Sequence, residues 1–363
     1  MLYALFWPIA MDDAGNDFVP WLRHIVDLGP LKAFSAPFAI YNMPYLYLLA
    51  LVSPFHGLLS DLSLVKIVSL AGTVALAIAT FRLLRTLGVA QASRWAALIM
   101  VMPTSVLNAA LLSQSDAIWA APCVAALDAA IGRRHRTMLL WCGIAISVKL
   151  QAILFAPFVI ALLLQRRVPI RLWPIAPAVF VALLVPALCL GWPPADLATI
   201  YLRQAAYFPM LSLNAPNIWF AVQTLFPASA PGLSGLATAA AVGASAFYIA
   251  RFSVLMPSGD RLLPVALLAP LLTAGLLPHM HERYFFLADV IALIWAVKSR
   301  DRKAWIVAGL VQLGSTLAVA GYVYDLALLV NFGFVAMAVA TYMVTGPLLK
   351  RAANDNPLLA RVA

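Results

Sequence analysis

The sequence predicts an all-α, polytopic transmembrane helical bundle of about 10–12 membrane segments, because apolar runs close to one bilayer crossing in length recur throughout it. Two observations carry this. The 363 residues are 64% hydrophobic and only 10% charged, with a mean hydropathy of +0.94, whereas soluble chains carry charge on about a quarter of their residues. Long apolar runs also recur from one end to the other, and hydrocarbon forces the backbone to satisfy its own polar groups, so one helical membrane domain is the natural reading. Residues 1–363 therefore read as a single membrane-embedded domain.

The elements follow in order. Met1–Ala10 is too short to cross a bilayer and has no basic flank or small-residue cleavage site, so it reads as the outer half of a first helix whose beginning is missing. Residues 11–62 form the first periplasmic loop. Within it Phe18, Trp21, Leu22, Ile25 and Leu28 share one face of an amphipathic helix suited to the interface, with Asp13 or Asp17 placed to cap it. Tyr45–Leu59 contains Pro54 and His56 and reads as interfacial or re-entrant. Spans are expected at 64–81, 95–112 and 115–132. Two apolar pieces between 137 and 165, broken near Lys149-Leu150-Gln151, read as a hairpin. A span at 172–191 leads into a large periplasmic loop, 192–231. Further spans fall at 232–252, 262–277, 284–298, 304–321 and 326–348, before a cytoplasmic tail, 350–363.

Sidedness comes from charge. A net charge of +10 suggests nucleic acid, but the basic residues sit in short clusters between apolar runs, as in cytoplasmic membrane loops. Threading the spans puts 18 of the 24 Lys and Arg on one side, which is then cytoplasmic. The other side receives Asp12, Asp13, Asp17, Asp27, Asp61, Asp116, Asp196, Glu282 and Asp325, with the isolated cations Arg23, Lys32, Lys66, Lys149, Arg203 and Arg283. The chain is expected in the inner (cell) membrane with its site facing the periplasm. Cys123, Cys142 and Cys189 lie in apolar segments without metal-ligand spacing and read as inert core thiols.

Six polar constellations lie on the periplasmic side. The first holds Asp12, Asp13 and Asp17, one of which is a candidate general base at the membrane surface. The second, Tyr41-Asn42-Met43-Pro44-Tyr45, brings a phenol and an amide suited to sugar hydroxyls. The third is Ser113-Gln114-Ser115-Asp116, where Ser-x-x-Asp also resembles a capping box. In the fourth, Lys149 and Gln151 sit at the break, and the lysine either snorkels or neutralises an anion. The fifth, Asn214-Ala215-Pro216-Asn217-Ile218-Trp219, falls in the large loop. The sixth is His279-Met280-His281-Glu282-Arg283-Tyr284, whose histidine spacing is wrong for a zinc helix but whose charges are costly to bury for stability alone.

The sequence lacks a Gly-x-Gly-x-x-Gly fingerprint, a P-loop and a Gly-x-Ser-x-Gly elbow, which disfavours nucleotide-dependent chemistry on the cytoplasmic face. An enzyme outside the cytoplasm must take activated groups from lipid carriers. Transfer from a polyprenyl phosphate sugar needs a carboxylate to accept the acceptor's proton and cations for the departing phosphate. Both residue types are present on that side.

The ordered series from the first-loop aspartates through Tyr-Asn-Met-Pro-Tyr-Leu-Tyr, Gln-Ser-Asp, Lys-Leu-Gln, Asn-Ala-Pro-Asn-Ile-Trp and Met-His-Glu-Arg-Tyr resembles the GT-C glycosyltransferases. The bacterial mannosyltransferase-like members look most similar, and the resemblance runs from about residue 11 to residue 290. It implies a hexosyltransferase with inverting transfer from a polyprenyl phosphate donor and a first-loop aspartate as base. The resemblance implies that this aspartate begins the interfacial helix and precedes a Gly about four helical turns later, which Asp13, sixteen residues before Gly29, fits better than Asp17. Lys149, Gln151, His279, His281, Glu282, Arg283, Tyr284, Gln114, Asp116, Tyr41, Asn42, Asn214, Asn217 and Trp219 are then candidates for donor-phosphate and substrate binding. Where the family often has Pro-Pro, this chain has Met43-Pro44. A divalent cation (Mg²⁺ or Mn²⁺) at the aspartates stays an open expectation, as does the acceptor: glycan, lipid or protein. The rival readings are a transporter or flippase of a lipid-linked saccharide, and a polysaccharide polymerase or ligase.

Overall fold

The computed structural model describes residues 2–207, 209–228 and 230–354, with side chains at all of these but 206, 231 and 349–354. Contacts divide the chain into two units, Met1–Ile153 with Arg171–Pro209, and Leu154–Ile170 with Met210–Ala363.

The first unit opens with a short helix α1 (Leu2–Phe6), then α2 (Val19–Leu28) and α3 (Met43–Val52). The latter two lie in the expected first loop and are too short to span about 30 Å of hydrocarbon. The first full-length apolar helix is α4 (Asp61–Thr86), started by Ser60, whose hydroxyl accepts from the Ser63 amide at 3.2 Å. Next come α5 (Ala92–Val101) and α6 (Pro103–Val106). Pro103 denies the helix a donor, and the pair Ala92–Val101 with Pro103–Leu111 is bent by 52°. They are followed by α7 (Asp116–Ile131) and α8 (His135–Val148).

Lys149 breaks α8 by adopting extended backbone (φ −156°, ψ 142°), and a tight 3-10 turn, Leu150–Phe155, leads to α9 (Ala156–Leu164). The break lies where the sequence puts it. The expected hairpin does not follow: α8 packs on α7 and α10 (Ile175–Cys189) within the first unit, and α9 packs with helices of the second. The first unit closes with α11 (Pro194–Ala206).

The second unit adds α12 (Ile218–Leu225), α13 (Ser234–Leu255), α14 (Leu262–Leu276), α15 (Phe286–Ser299), α16 (Arg302–Val323) and α17 (Ala327–Asn354). Within it α13 packs on α9 and α14, α14 on α15, and α16 on both α15 and α17. A two-residue parallel pairing joins β1 (Ser212–Leu213) to β2 (Met280–His281). The expected tail beyond Asn354 lies outside the described residues.

Among the described residues six helices are long and apolar enough to cross a membrane, or seven with the bent pair counted as one span. The fold is an all-α polytopic membrane bundle. Leu51, Val181, Val242 and Phe332 are among the many large apolar side chains exposed on it, as a lipid-facing surface requires.

Candidate functional site

The first-loop aspartates lie at an under-wound turn, which Asp12 and Asp13 precede and which contains Asp17. Ala14–Phe18 forms π-type turns running directly into α2, a bulge that recurs at functional sites. Neither aspartate caps a helix, contrary to the sequence reading: Asp13 makes no side-chain capping bond, and Asp17 lies inside the π turn. Both residues are half-buried, and the Asp13 carboxylate is turned to Gln114. Burial, reinforced by the neighbouring Asp13 carboxylate, raises the Asp17 pKa above its ordinary value.

From Asp13 a polar relay runs inward. Asp13 Oδ2 accepts from Gln114 Nε2 at 2.5 Å. Gln114 Oε1 accepts from Lys149 Nζ at 3.4 Å and from the Tyr41 hydroxyl at 3.5 Å. Lys149 Nζ then donates to Asp116 Oδ1 at 2.7 Å. Asp116 is further held by Asn108 Nδ2 at 2.8 Å and Trp119 Nε1 at 3.0 Å. Gln114, Asp116 and Lys149 are all buried, so the ammonium and carboxylate compensate one another in a dry setting. The Ser-x-x-Asp box does not form, because α7 starts at Asp116 with Ser115 at the cap position and no side-chain capping bond. Asp116 faces Lys149 instead.

Aromatic rings wall the outer end. Phe18, Trp21, Tyr41 and Tyr45 make edge-on or tilted contacts with centroids 5.2–6.5 Å apart, and Lys149 Nζ lies 5.1 Å from the centre of the Tyr41 ring. The amphipathic face of α2 thus packs into protein: Phe18, Trp21, Leu22 and Ile25 are buried, whereas Leu28 is exposed. Asn42 is committed to the fold. Its Oδ1 caps α3 at Met43, and its Nδ2 donates to the Ser147 carbonyl and the Tyr201 hydroxyl, at 2.9 and 3.1 Å. Gln151 follows the break as a half-buried residue of the 3-10 turn.

Lys66 was not singled out by sequence as more than an outer-face cation. Its buried ammonium donates to the carbonyls of Phe6, Trp7, Ile9 and Ala110 at 2.8, 3.0, 2.6 and 2.6 Å. This fixes the segment that ends at Asp12 and Asp13. Asn108 was also missed, although an amide inside an apolar run is itself a signal.

The second unit holds the other candidates. Glu282 and Arg283 are 1% and 8% exposed, and Glu282 Oε1 accepts from Arg283 Nη1 at 2.6 Å. Burial alone would raise the Glu282 pKa, but Arg283 and His281 overcome it and hold the carboxyl down to about 2. Arg283 also lies 5.7 Å from the Tyr284 ring centre. The β1–β2 pairing and a bridge from Asn214 to His281 hold this loop in place. Asn214 and His279 both adopt positive φ, 58° and 59°, and His279 Nδ1 lies 2.6 Å from the Met210 carbonyl. Asn217 caps α12 through the Phe220 amide at 3.0 Å, and Trp219 Nε1 donates to the Leu276 carbonyl at 2.5 Å. Among the described residues no group of three or more His, Cys, Asp or Glu is placed to hold a metal.

No protein-family model and no curated protein sequence matches the chain. Among solved structures it is similar to the crystal structure of ArnT from Cupriavidus metallidurans bound to undecaprenyl phosphate, at 13% identity and a TM-score of 0.54. The match covers 95% of this chain and 76% of that one. The chain therefore has a polytopic helical membrane fold similar to that of ArnT.

Proposed function

We propose that the protein is an integral-membrane glycosyltransferase that takes a sugar from a polyprenyl-phosphate-linked donor. The single observation supporting it best is the relay from the half-buried Asp13 through Gln114 to the buried Lys149–Asp116 pair. The fold shared with a protein crystallised with undecaprenyl phosphate supports the donor class. In this reading the Asp13 carboxylate accepts the proton of an acceptor hydroxyl as its oxygen forms a bond to the anomeric carbon. The bond from that carbon to the lipid phosphate breaks on the opposite face, giving inversion and free polyprenyl phosphate. Gln114 aims the Asp13 carboxylate through its amide N–H.

Asp17 is the second candidate for the base, since its raised pKa leaves it a better proton acceptor than an ordinary carboxylate but a less fully ionised one. Lys149, in the first unit, is the cation assigned to the donor phosphate; Arg283, in the second unit and oriented by Glu282, is a separate candidate for substrate binding. The reading extends to a mannose-like hexose and to a periplasmic site.

The test is purified protein in lipid nanodiscs with a panel of polyprenyl phosphate sugars, scored by release of polyprenyl phosphate. Asp13→Asn is expected to lower turnover by about 10²–10⁴-fold, the contribution typical of a general base, while donor binding persists. A transporter would keep moving lipid-linked saccharide with Asp13 and Asp17 both replaced by Asn. That result, or full transfer activity in both variants, refutes the assignment.

A further inference from the structure

A cavity of about 630 Å³ lies within the first unit, between α3, α4, α7 and α8. Its walls are apolar along most of their length, with Leu48, Ala75, Ile118 and Pro122 among them. Polar groups gather at one end, where Arg82, Asp128 and Arg134 line it. Those three come from the arginine-rich side of the sequence, opposite to Lys149. The lining residues of α4 run from Ile67 to Arg82, about 22 Å at a rise of 1.5 Å per residue. That exceeds the depth of one leaflet's hydrocarbon, about 15 Å, so an acyl chain entering at the arginine end fits wholly inside.

The charge at that end selects a headgroup. Arg134 Nη2 donates to Asp128 Oδ2, so these two neutralise one another. Asp128 Oδ1 is buried and has no hydrogen-bond partner among the described residues, in a side chain only 10% exposed. Arg82 has neither an ion pair nor a hydrogen bond among them. The net charge is one positive unit, beside one unused buried acceptor. A singly charged phosphodiester bearing a hydroxyl donor satisfies both: phosphate against Arg82, hydroxyl to Asp128 Oδ1. A zwitterionic lipid would leave the positive unit uncompensated.

We propose that this groove is a binding site for an anionic, hydroxyl-bearing glycerophospholipid such as phosphatidylglycerol, with its headgroup at Arg82 and Asp128 and one acyl chain along α4. The helices that line it are those that carry the relay. Asp116 opens α7, which continues to Asp128, and Lys149 directly follows α8. Occupancy therefore braces the supports of both members of the buried ion pair.

Native mass spectrometry of delipidated protein titrated with phosphatidylglycerol, phosphatidylethanolamine or polyprenyl phosphate tests this without reference to turnover, so its failure is separable from that of the transferase reading. Phosphatidylglycerol is expected to saturate at one molecule per chain. Arg82→Gln should weaken it about tenfold, the loss of one charge-assisted phosphate contact. Ala75→Trp, at an exposed position on the groove wall, should abolish the saturable adduct, and Arg94→Gln, outside the groove, should leave it unchanged. Equal retention of both phospholipids by wild type and Arg82→Gln would mean ordinary annular lipid and overturn the proposal. So would displacement of phosphatidylglycerol by polyprenyl phosphate, or binding that survives Ala75→Trp. If Arg82→Gln does not fold, Ala75→Trp and the two competitors decide the matter alone.

Discussion

The Lys149 and Asp116 side chains are 1% and 0% exposed, so each charge is compensated in the interior chiefly by the other. Replacing Lys149 by Met strands a buried carboxylate, which typically costs about 3–5 kcal/mol. Thermal denaturation in detergent should show this for Lys149→Met, and a smaller loss when Asp116→Leu is added; equal losses would mean the two charges are not coupled. Asp17 behaves in the opposite sense. Its folded-state pKa is raised, so the folded protein binds that proton more tightly than the unfolded chain, and ionisation opposes folding. The penalty is absent below the ordinary carboxylate value and complete above the folded one. Asp17→Asn should therefore raise Tm at neutral pH, with the gain vanishing on acidification to about pH 4. A pH-independent change in Tm would contradict this. Glu282 titrates downward, to about 2. Its pairing with Arg283 adds stability above the ordinary glutamate value and loses it only as pH falls toward 2, so Glu282 contributes nothing to an acid limb of activity near pH 5.

At the scale of elements, the close crossing of α4 and α7 depends on Gly72. A Cβ there would lie 2.5 Å from Ile118 Cγ1 and 3.1 Å from the Ile118 amide nitrogen, and the backbone atom cannot swing away. Gly72→Ala should destabilise the protein by about 1–3 kcal/mol, as overpacking does, and displace the start of α7, lowering turnover along with Tm. Unchanged thermal stability would show that the crossing is looser than drawn. Most helices were legible in the sequence, because a run of apolar residues broken by Gly, Pro or charge is a local signal. The break at Lys149 was legible for the same reason: a charge inside an apolar stretch rarely sits in unbroken helix. Which polar residues face the site was less legible. Asn42, Asn217 and Asp116 all sit at helix starts and look alike in sequence, yet two cap their helices and the third turns to a lysine 33 positions away. Capping is local and can be read from spacing, whereas a partner that distant in the chain is set only by tertiary packing. Lys66 was opaque for that reason too, since its acceptors are backbone carbonyls that leave no trace in residue type.

For the whole molecule, the basic clusters predict which loops face the cytoplasm. With Cys189, which is exposed, replaced by Ser, a membrane-impermeant maleimide applied outside intact cells should label Asp196→Cys and spare Arg133→Cys. The reverse pattern would invert the topology and place the relay in the cytoplasm. The relay has a further consequence for where a transferred proton ends up. Gln114 joins Asp13 to Lys149 through a primary amide, whose nitrogen end gives hydrogen bonds and whose oxygen end receives them. At neutral pH an amide neither gains nor loses a proton, so it couples the two groups electrostatically while insulating them as a conductor. In the proposed transfer a hydrogen ion captured by Asp13 therefore does not drain inward to the lysine; it escapes to bulk water or leaves with the departing phosphate. Whatever part of it is released acidifies only the compartment that Asp13 faces, which a pH-sensitive dye enclosed in proteoliposomes would reveal.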